Sequence, residues 1–97
     1  MLTGTYQLQG ENPNGSPYQG SLQISQSGPI YLLTWEIGGQ IHRGTGLIID
    51  HVLSATWVAG NMAGLVTYHI RDHSLEGIWV GFGSNQIGRE TALKITH

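Results

Sequence analysis

The chain contains no cysteine, only 3 prolines and few charged residues, which make up 10% of its 97 residues. The absence of cysteine excludes disulfides and thiol chemistry. Because the net charge is −2 and the basic residues lie far apart, we predict no nucleic-acid partner; they are Arg43, Arg71, Arg89 and Lys94. The sequence also has no nucleophile motif such as Gly-x-Ser-x-Gly, and we predict no cofactor.

Long apolar runs are missing as well. No segment approaches the roughly 20 apolar residues of a transmembrane helix. The N-terminal residues, 1–6, have neither the basic segment nor the apolar region of a signal peptide. We therefore expect a cytoplasmic protein without a membrane partner, although a signal peptide that has been removed would leave no trace.

The 3 tryptophans, Trp35, Trp57 and Trp79, are spaced evenly by 22 residues. The eight residues that end at Trp57 resemble the eight that end at Trp79, and those that end at Trp35 fit the same pattern more loosely. Each copy begins with turn residues and continues with apolar or small residues at every second position. This pattern is typical of a β-strand that follows a tight turn.

Strand patterns cover most of the chain, whereas helical periodicity is missing. The turns between the strands are too short for the crossovers that parallel strands need. A flat meander could not cover its own apolar face, so the last strand should pair with the first. We predict an all-β fold, a single eight-stranded antiparallel up-and-down meander barrel over residues 1–97, built from 22-residue hairpin repeats. The predicted strands are 2–10, 18–27, 30–37, 40–49, 52–59, 62–71, 74–82 and 87–96.

Alternation along these strands predicts which side chains face outward. The outer face is mostly polar, which suits contact with water. It also carries an apolar stripe on strands 3, 5 and 7, made of Ile30, Leu32, Val58, Ile78, Val80 and Phe82. Because such a stripe on a small domain commonly marks an assembly surface, we predict a homo-oligomer that forms through it.

Two features resemble the calycin barrels, the superfamily of lipocalins and avidins. Gly4-Thr5-Tyr6 opens the first strand where these families have Gly-x-Trp, and Arg89 lies in the last strand. The resemblance implies a barrel with a ligand site at its open end and an Arg that packs across the aromatic ring near the closed end. The segment from Gly4 to Trp35 is also similar to short bacterial proteins with the same rhythm, which implies no function.

The tryptophans lie on strands that run in the same direction, at the same distance from the preceding turn, so they should gather in one half of the barrel. If that half is open, they form an aromatic cage for a small apolar or aromatic ligand. If it is filled, they are a plug, and a chain this small needs nearly all its aromatic area for a core, which favours the plug. The candidate ligand-binding residues are Trp35, Trp57, Trp79, Tyr31, Tyr68 and His42.

The remaining candidates for chemistry are histidines and one carboxylate. We predict no metal site, because the histidines near Asp72 and its repeat position should lie at turns or on the outer face; they are His51, His69 and His73. Arg89 and Glu90 are adjacent, so one of them must face the interior. A buried Glu90 would need a partner, either His42 or a tyrosine hydroxyl, and a structural hydrogen bond is the favoured interpretation.

These observations predict a non-enzymatic barrel that self-associates through the outer stripe and has a ligand site at its Trp-lined end. The alternative is a barrel that binds a small molecule without associating. An enzyme is the least favoured hypothesis, since it would have only His42 and Glu90 as interior polar groups, and no catalytic residues are predicted.

Overall fold

The computed structural model describes residues 2–96. Eight β-strands follow one another, and no helix in this part of the chain is long and apolar enough to span a membrane. The predicted strand boundaries differ from the observed ones by at most two residues. The strands are β1 (Gly4–Glu11), β2 (Pro17–Ser27), β3 (Ile30–Ile37), β4 (Gln40–Ile49), β5 (Val52–Ala59), β6 (Met62–Ile70), β7 (Ser74–Gly81) and β8 (Gly88–Thr96).

Every strand pairs antiparallel with its neighbours in sequence, and β1 also pairs with β8. In the closing pair Leu8 lies opposite Ala92, and a register shift follows Thr5. The result is a closed up-and-down barrel, which confirms the predicted fold class. The turn between β4 and β5 uses Asp50 and His51 at positive φ angles of 49° and 65°, a conformation that two-residue hairpins require.

Alternation along the strands separates an apolar interior from the outer surface, as predicted. In β5, for example, Leu53, Ala55 and Trp57 are buried while Ser54 and Thr56 are exposed. Inward side chains from all eight strands form one core, because a closed sheet leaves no other apolar face to cover. The largest fully buried side chains are Tyr68, Leu8, Leu22, Leu33, Leu53 and Leu75.

The inward aromatic rings lie over glycines of the neighbouring strand. Trp57 is paired with Gly64, and a Cβ atom built on that glycine would meet the indole ring at 2.5 Å. Trp79 is paired with Gly88 in the same way, with a corresponding distance of 2.1 Å. Each ring therefore occupies the space that a partner side chain would need, and the glycine allows the ring to lie flat against the wall.

The predicted outer stripe is not continuous, which corrects one expectation. In a barrel with this strand order, β3 lies across the barrel from β7, so Ile30 and Leu32 are remote from Ile78, Val80 and Phe82. Val58 on β5 lies between the two groups without joining them. Exposed apolar side chains are spread over several strands, and one smaller apolar surface lies on β6 and β7, where exposed Leu65 is paired with the partly exposed Val80.

One expectation from the calycin resemblance also differs from the structure. Arg89 is exposed on the outer face, next to Glu11 of β1 and Ile78 of β7. Tyr6 lies near the other end of β1, buried, and its hydroxyl donates a hydrogen bond to the Leu2 carbonyl. The Arg therefore does not cover the Tyr ring, because the interior position in this part of β8 belongs to Glu90.

Gly64 and Gly81 are paired across β6 and β7 and form a matched test of close packing. A Cβ at Gly64 would lie 2.1 Å from the Val80 carbonyl oxygen, whereas one at Gly81 would have its nearest neighbour at 3.9 Å. We expect Gly64→Ala to lower the free energy of unfolding by roughly 1–3 kcal/mol, because overpacking must be relieved by a backbone shift. Gly81→Ala should be neutral or slightly stabilising. Urea unfolding of both variants tests this, and equal effects would contradict the packing described above.

Candidate functional site

A cavity of about 290 Å³ opens at one end of the barrel. At this end the odd-numbered strands finish and the even-numbered strands begin. Residues near the strand ends form the rim, and residues further along the strands form the inner walls. The lining consists of Asn12, Tyr18, Trp35, Ile37, Gln40, His42, Trp57, Ala59, Met62, Val66, Tyr68, Trp79 and Glu90.

All three tryptophans line this cavity, so the favoured expectation of a complete plug was wrong. Trp35 is buried, and Trp79 remains half-buried. The rings of Trp57 and Trp79 meet edge to face, with centroids 6.1 Å apart and an interplanar angle of 86°. Because these rings lie against glycines in the wall, space is left between them in the barrel interior.

The structure brings five of the six candidate ligand-binding residues together and separates the sixth. Tyr68 and His42 line the cavity with the tryptophans, and the His42 ring lies 6.0 Å from that of Trp57. Tyr31 packs against the core but does not line the cavity. It is the second residue of β3 and therefore lies toward the opposite end of the barrel.

A hydrogen-bonded network holds the carboxyl group of Glu90 at the inner end of the cavity. Glu90 faces inward and is only 6% exposed. The Tyr18 hydroxyl donates to Glu90 Oε1 at 2.7 Å, and the Tyr68 hydroxyl donates to Oε2. Trp35 Nε1 in turn donates to the Tyr68 oxygen at 2.9 Å. Of the two partners predicted for a buried Glu90, the tyrosine hydroxyls take this role and His42 does not.

The network changes the proton affinities of its members. Burial raises the pKa of Glu90, and the hydrogen bonds from Tyr68 and Tyr18 oppose that shift. Burial also raises the pKa of Tyr68, and the nearby Glu90 raises it further. The phenol therefore keeps its proton and can donate a hydrogen bond. Since both carboxyl oxygens accept hydrogen bonds, the geometry fits the ionised carboxylate.

Three other polar atoms of the lining residues are buried and have no hydrogen-bond partner within residues 2–96: His42 Nδ1, Trp57 Nε1 and Trp79 Nε1. Burial and the neighbouring Glu90 raise the pKa of Tyr18, and the nearby indole of Trp79 opposes this shift without reaching hydrogen-bond geometry. Unpaired buried polar groups of this kind cost roughly 1–3 kcal/mol each. All three atoms belong to residues that line one cavity, so their lack of a partner there needs an explanation.

Three histidines besides His42 fall within residues 2–96, and they do not line the cavity. His51 and His73 lie exposed at turns, and His69 is exposed on the outer face of β6. Within residues 2–96, no group of three or more His, Asp and Glu side chains could hold a metal ion.

Sequence reasoning missed several residues of the site. Tyr18 was not among the candidate residues, although it is the second residue of β2, which begins at the same end where β3, β5 and β7 finish. Position at this end of a strand would also have identified the rim residues, because each of them ends or begins a strand there or lies in the adjoining turn. The rim residues are Asn12, Ile37, Gln40, Ala59 and Met62.

No protein-family model matches this chain, and no curated protein sequence matches it. Similar solved structures share its fold. A de novo designed fluorescence-activating β-barrel has 12% identity and a TM-score of 0.75, over 97% of this chain and 94% of that one. The redesigned β-barrel mFAP1 bound to DFHBI has 17% identity and a TM-score of 0.76, with the same coverage. Apo lipid binding protein 8 from Caenorhabditis elegans has 10% identity and a TM-score of 0.64, over 97% of this chain and 95% of that one. The likeness to these small barrels supports the eight-stranded fold.

The hydroxyl of Tyr68 is expected to stabilise the inner end of the cavity. Tyr68→Phe would leave Trp35 Nε1 without an acceptor and Glu90 Oε2 without a donor. We expect the free energy of unfolding to fall by roughly 1–3 kcal/mol, the cost of leaving buried polar groups unpaired. Tyr31→Phe is the control, because the Tyr31 hydroxyl makes no hydrogen bond in the described part of the chain. Thermal unfolding compares the two variants, and equal stability losses would show that the network is not stabilising.

Proposed function

We propose that this protein is a non-enzymatic barrel that binds a small apolar or aromatic molecule in the Trp-lined cavity. The observation that carries the proposal is a cavity of about 290 Å³ lined by all three tryptophans, with three unpaired buried polar atoms among its lining residues. Ligand pockets are typically mostly apolar, with a few placed polar groups, and measure roughly 300–1,000 Å³. This cavity is at the lower limit, which suits a molecule of one or two rings.

The structural neighbours support the same proposal. One is a designed barrel bound to DFHBI, and another is a lipid-binding protein. Glu90 is held by two tyrosine hydroxyls and His42 has no carboxylate beside it in the network, so these residues do not form an acid–base pair of the kind an enzyme needs.

A neutral aromatic alcohol, naphthylmethanol, tests the proposal by isothermal titration calorimetry. We expect saturable binding of one molecule per chain, weakened several-fold by Trp79→Leu, because an aromatic contact contributes roughly 0.5–1.5 kcal/mol. Phe82→Leu is the matched control, since Phe82 is 69% exposed and does not line the cavity. Equal weakening by the two substitutions would place the ligand outside the cavity. The proposal would be overturned if neither naphthylmethanol nor its amine and carboxylate analogues, naphthylmethylamine and naphthylacetate, bound to the protein.

We also infer that the barrel self-associates, through the apolar surface on β6 and β7. Leu65 and Ile78 are exposed there, and they border a shallow apolar groove together with Val80 and Ile87. Water contacts this surface in the isolated chain, so covering it with a second copy would remove apolar area from water.

Sedimentation equilibrium tests the self-association. We expect a concentration-dependent mass above that of the 10.5 kDa chain, and Leu65→Lys should shift the equilibrium toward monomer. Leu32→Lys is the control, because Leu32 is similarly exposed on β3, which lies well away from β6 around the barrel. A monomeric mass at every protein concentration would contradict this inference.

A further inference from the structure

The charge inside the cavity has one sign. Among residues 2–96, Glu90 is the only acidic residue that lines the cavity, and no lysine or arginine lines it. Arg43 and Arg89 follow or precede lining residues in sequence, but alternation directs them to the outer face, where both are exposed. The carboxyl group is therefore balanced by hydrogen bonds alone, without a cation.

The hydrogen bonds to Glu90 leave its oxygens with acceptor capacity. Each oxygen accepts one tyrosine hydroxyl. A carboxylate has about four lone-pair sites in total, so each oxygen retains room for a further donor. Because Glu90 lines the cavity, a ligand inside it is the group able to supply that donor.

The walls around this carboxyl group are aromatic. Trp35, Trp57 and Trp79 line the same cavity, and the perpendicular arrangement of Trp57 and Trp79 turns one ring face toward the edge of the other. The faces of indole rings carry negative electrostatic potential and attract cations within roughly 6 Å of the ring centre. The aromatic walls and the buried carboxyl group thus both favour a positively charged ligand.

We propose that the cavity selects an organic cation, a protonated amine carried on an aromatic or apolar body, whose ammonium group donates to Glu90 while its body lies among the tryptophans. This inference rests on the proposed function and specifies its ligand class. A ligand with a carboxylate would instead place a like charge beside Glu90 without a cation to compensate it, which is unfavourable in a site shielded from water.

Three probes with the same ring system and different charge test the proposal: naphthylmethylamine, naphthylmethanol and naphthylacetate. Calorimetric titrations are run at about pH 8. Because burial raises the pKa of Glu90, this pH favours the carboxylate more than a lower pH would. We expect the amine to bind at least about tenfold more tightly than the alcohol, since hydrogen bonds to charged groups are the strong ones, and the carboxylate to bind most weakly.

Two variants assign the preference to Glu90. Glu90→Gln keeps the shape of the side chain and part of its hydrogen bonding. We expect it to reduce the ratio of amine affinity to alcohol affinity to near one, while the alcohol still binds. Glu36→Gln removes the same charge from the outer face, where the side chain is exposed, and should leave the ratio unchanged. If Glu90→Gln does not fold, the comparison of the three probes on the original protein still decides the question.

The outcomes separate the two proposals. An alcohol or carboxylate that binds as tightly as the amine overturns the cation inference but leaves the ligand-binding function standing. A ratio that is equally reduced by Glu36→Gln also overturns it, because the preference would then come from overall charge. The absence of binding by all three probes overturns both.

Discussion

The buried carboxyl group of Glu90 is the constraint on which the arrangement of the interior depends. A carboxyl group inside a small barrel is costly unless its oxygens are satisfied. Tyr18 from β2 and Tyr68 from β6 meet this need from two sides of the barrel, and Trp35 from β3 supports Tyr68. These side chains cannot move apart without exposing the network, so they fix the boundary between the packed core and the open cavity.

The aromatic-over-glycine pairs explain how so short a chain keeps a cavity at all. A barrel of eight strands is just wide enough for side chains to fill it. Here Trp57 and Trp79 lie over Gly64 and Gly88, so the rings occupy the space next to the wall that side chains at these glycines would fill, and the centre of the barrel stays open. The 22-residue period therefore has a geometric meaning: it places one Trp at a similar height on β3, β5 and β7, around the same end of the barrel.

Much of the fold was predictable from the sequence, because strand alternation and turn residues are local signals. β3, β4 and β5 have the predicted bounds, and closure follows from the need to cover one apolar face. The candidate site was predictable for the tryptophans, Tyr68 and His42. Tyr31 was assigned wrongly because alternation identifies only the inner face, whereas its place near the start of β3, away from the end that carries Trp35, would have excluded it.

Two of these expectations failed for different physical reasons. The outer stripe joined β3 to β7 in the prediction, yet the circular strand order puts these strands on opposite sides of the barrel. The plug was favoured because so small a chain needs nearly all its aromatic area for a core, and the sequence does not reveal that Trp57 and Trp79 face glycines on the neighbouring strands. Register, which pairs residues across strands, was the missing information for the plug, whereas the stripe overlooked the circular strand order of the predicted barrel.

The central claim is that an acid buried at the inner end of the cavity meets the ligand. Carbon-13 NMR of the Glu90 carboxyl group, followed as a function of pH, tests it most directly. In the free protein the titration midpoint should lie above the ordinary glutamate pKa of 4.5, because burial disfavours the charge. Saturation with naphthylmethylamine should move the midpoint to lower pH, because the ammonium group stabilises the carboxylate. A midpoint at or below the ordinary value, or one that the bound amine leaves unchanged, would contradict the account.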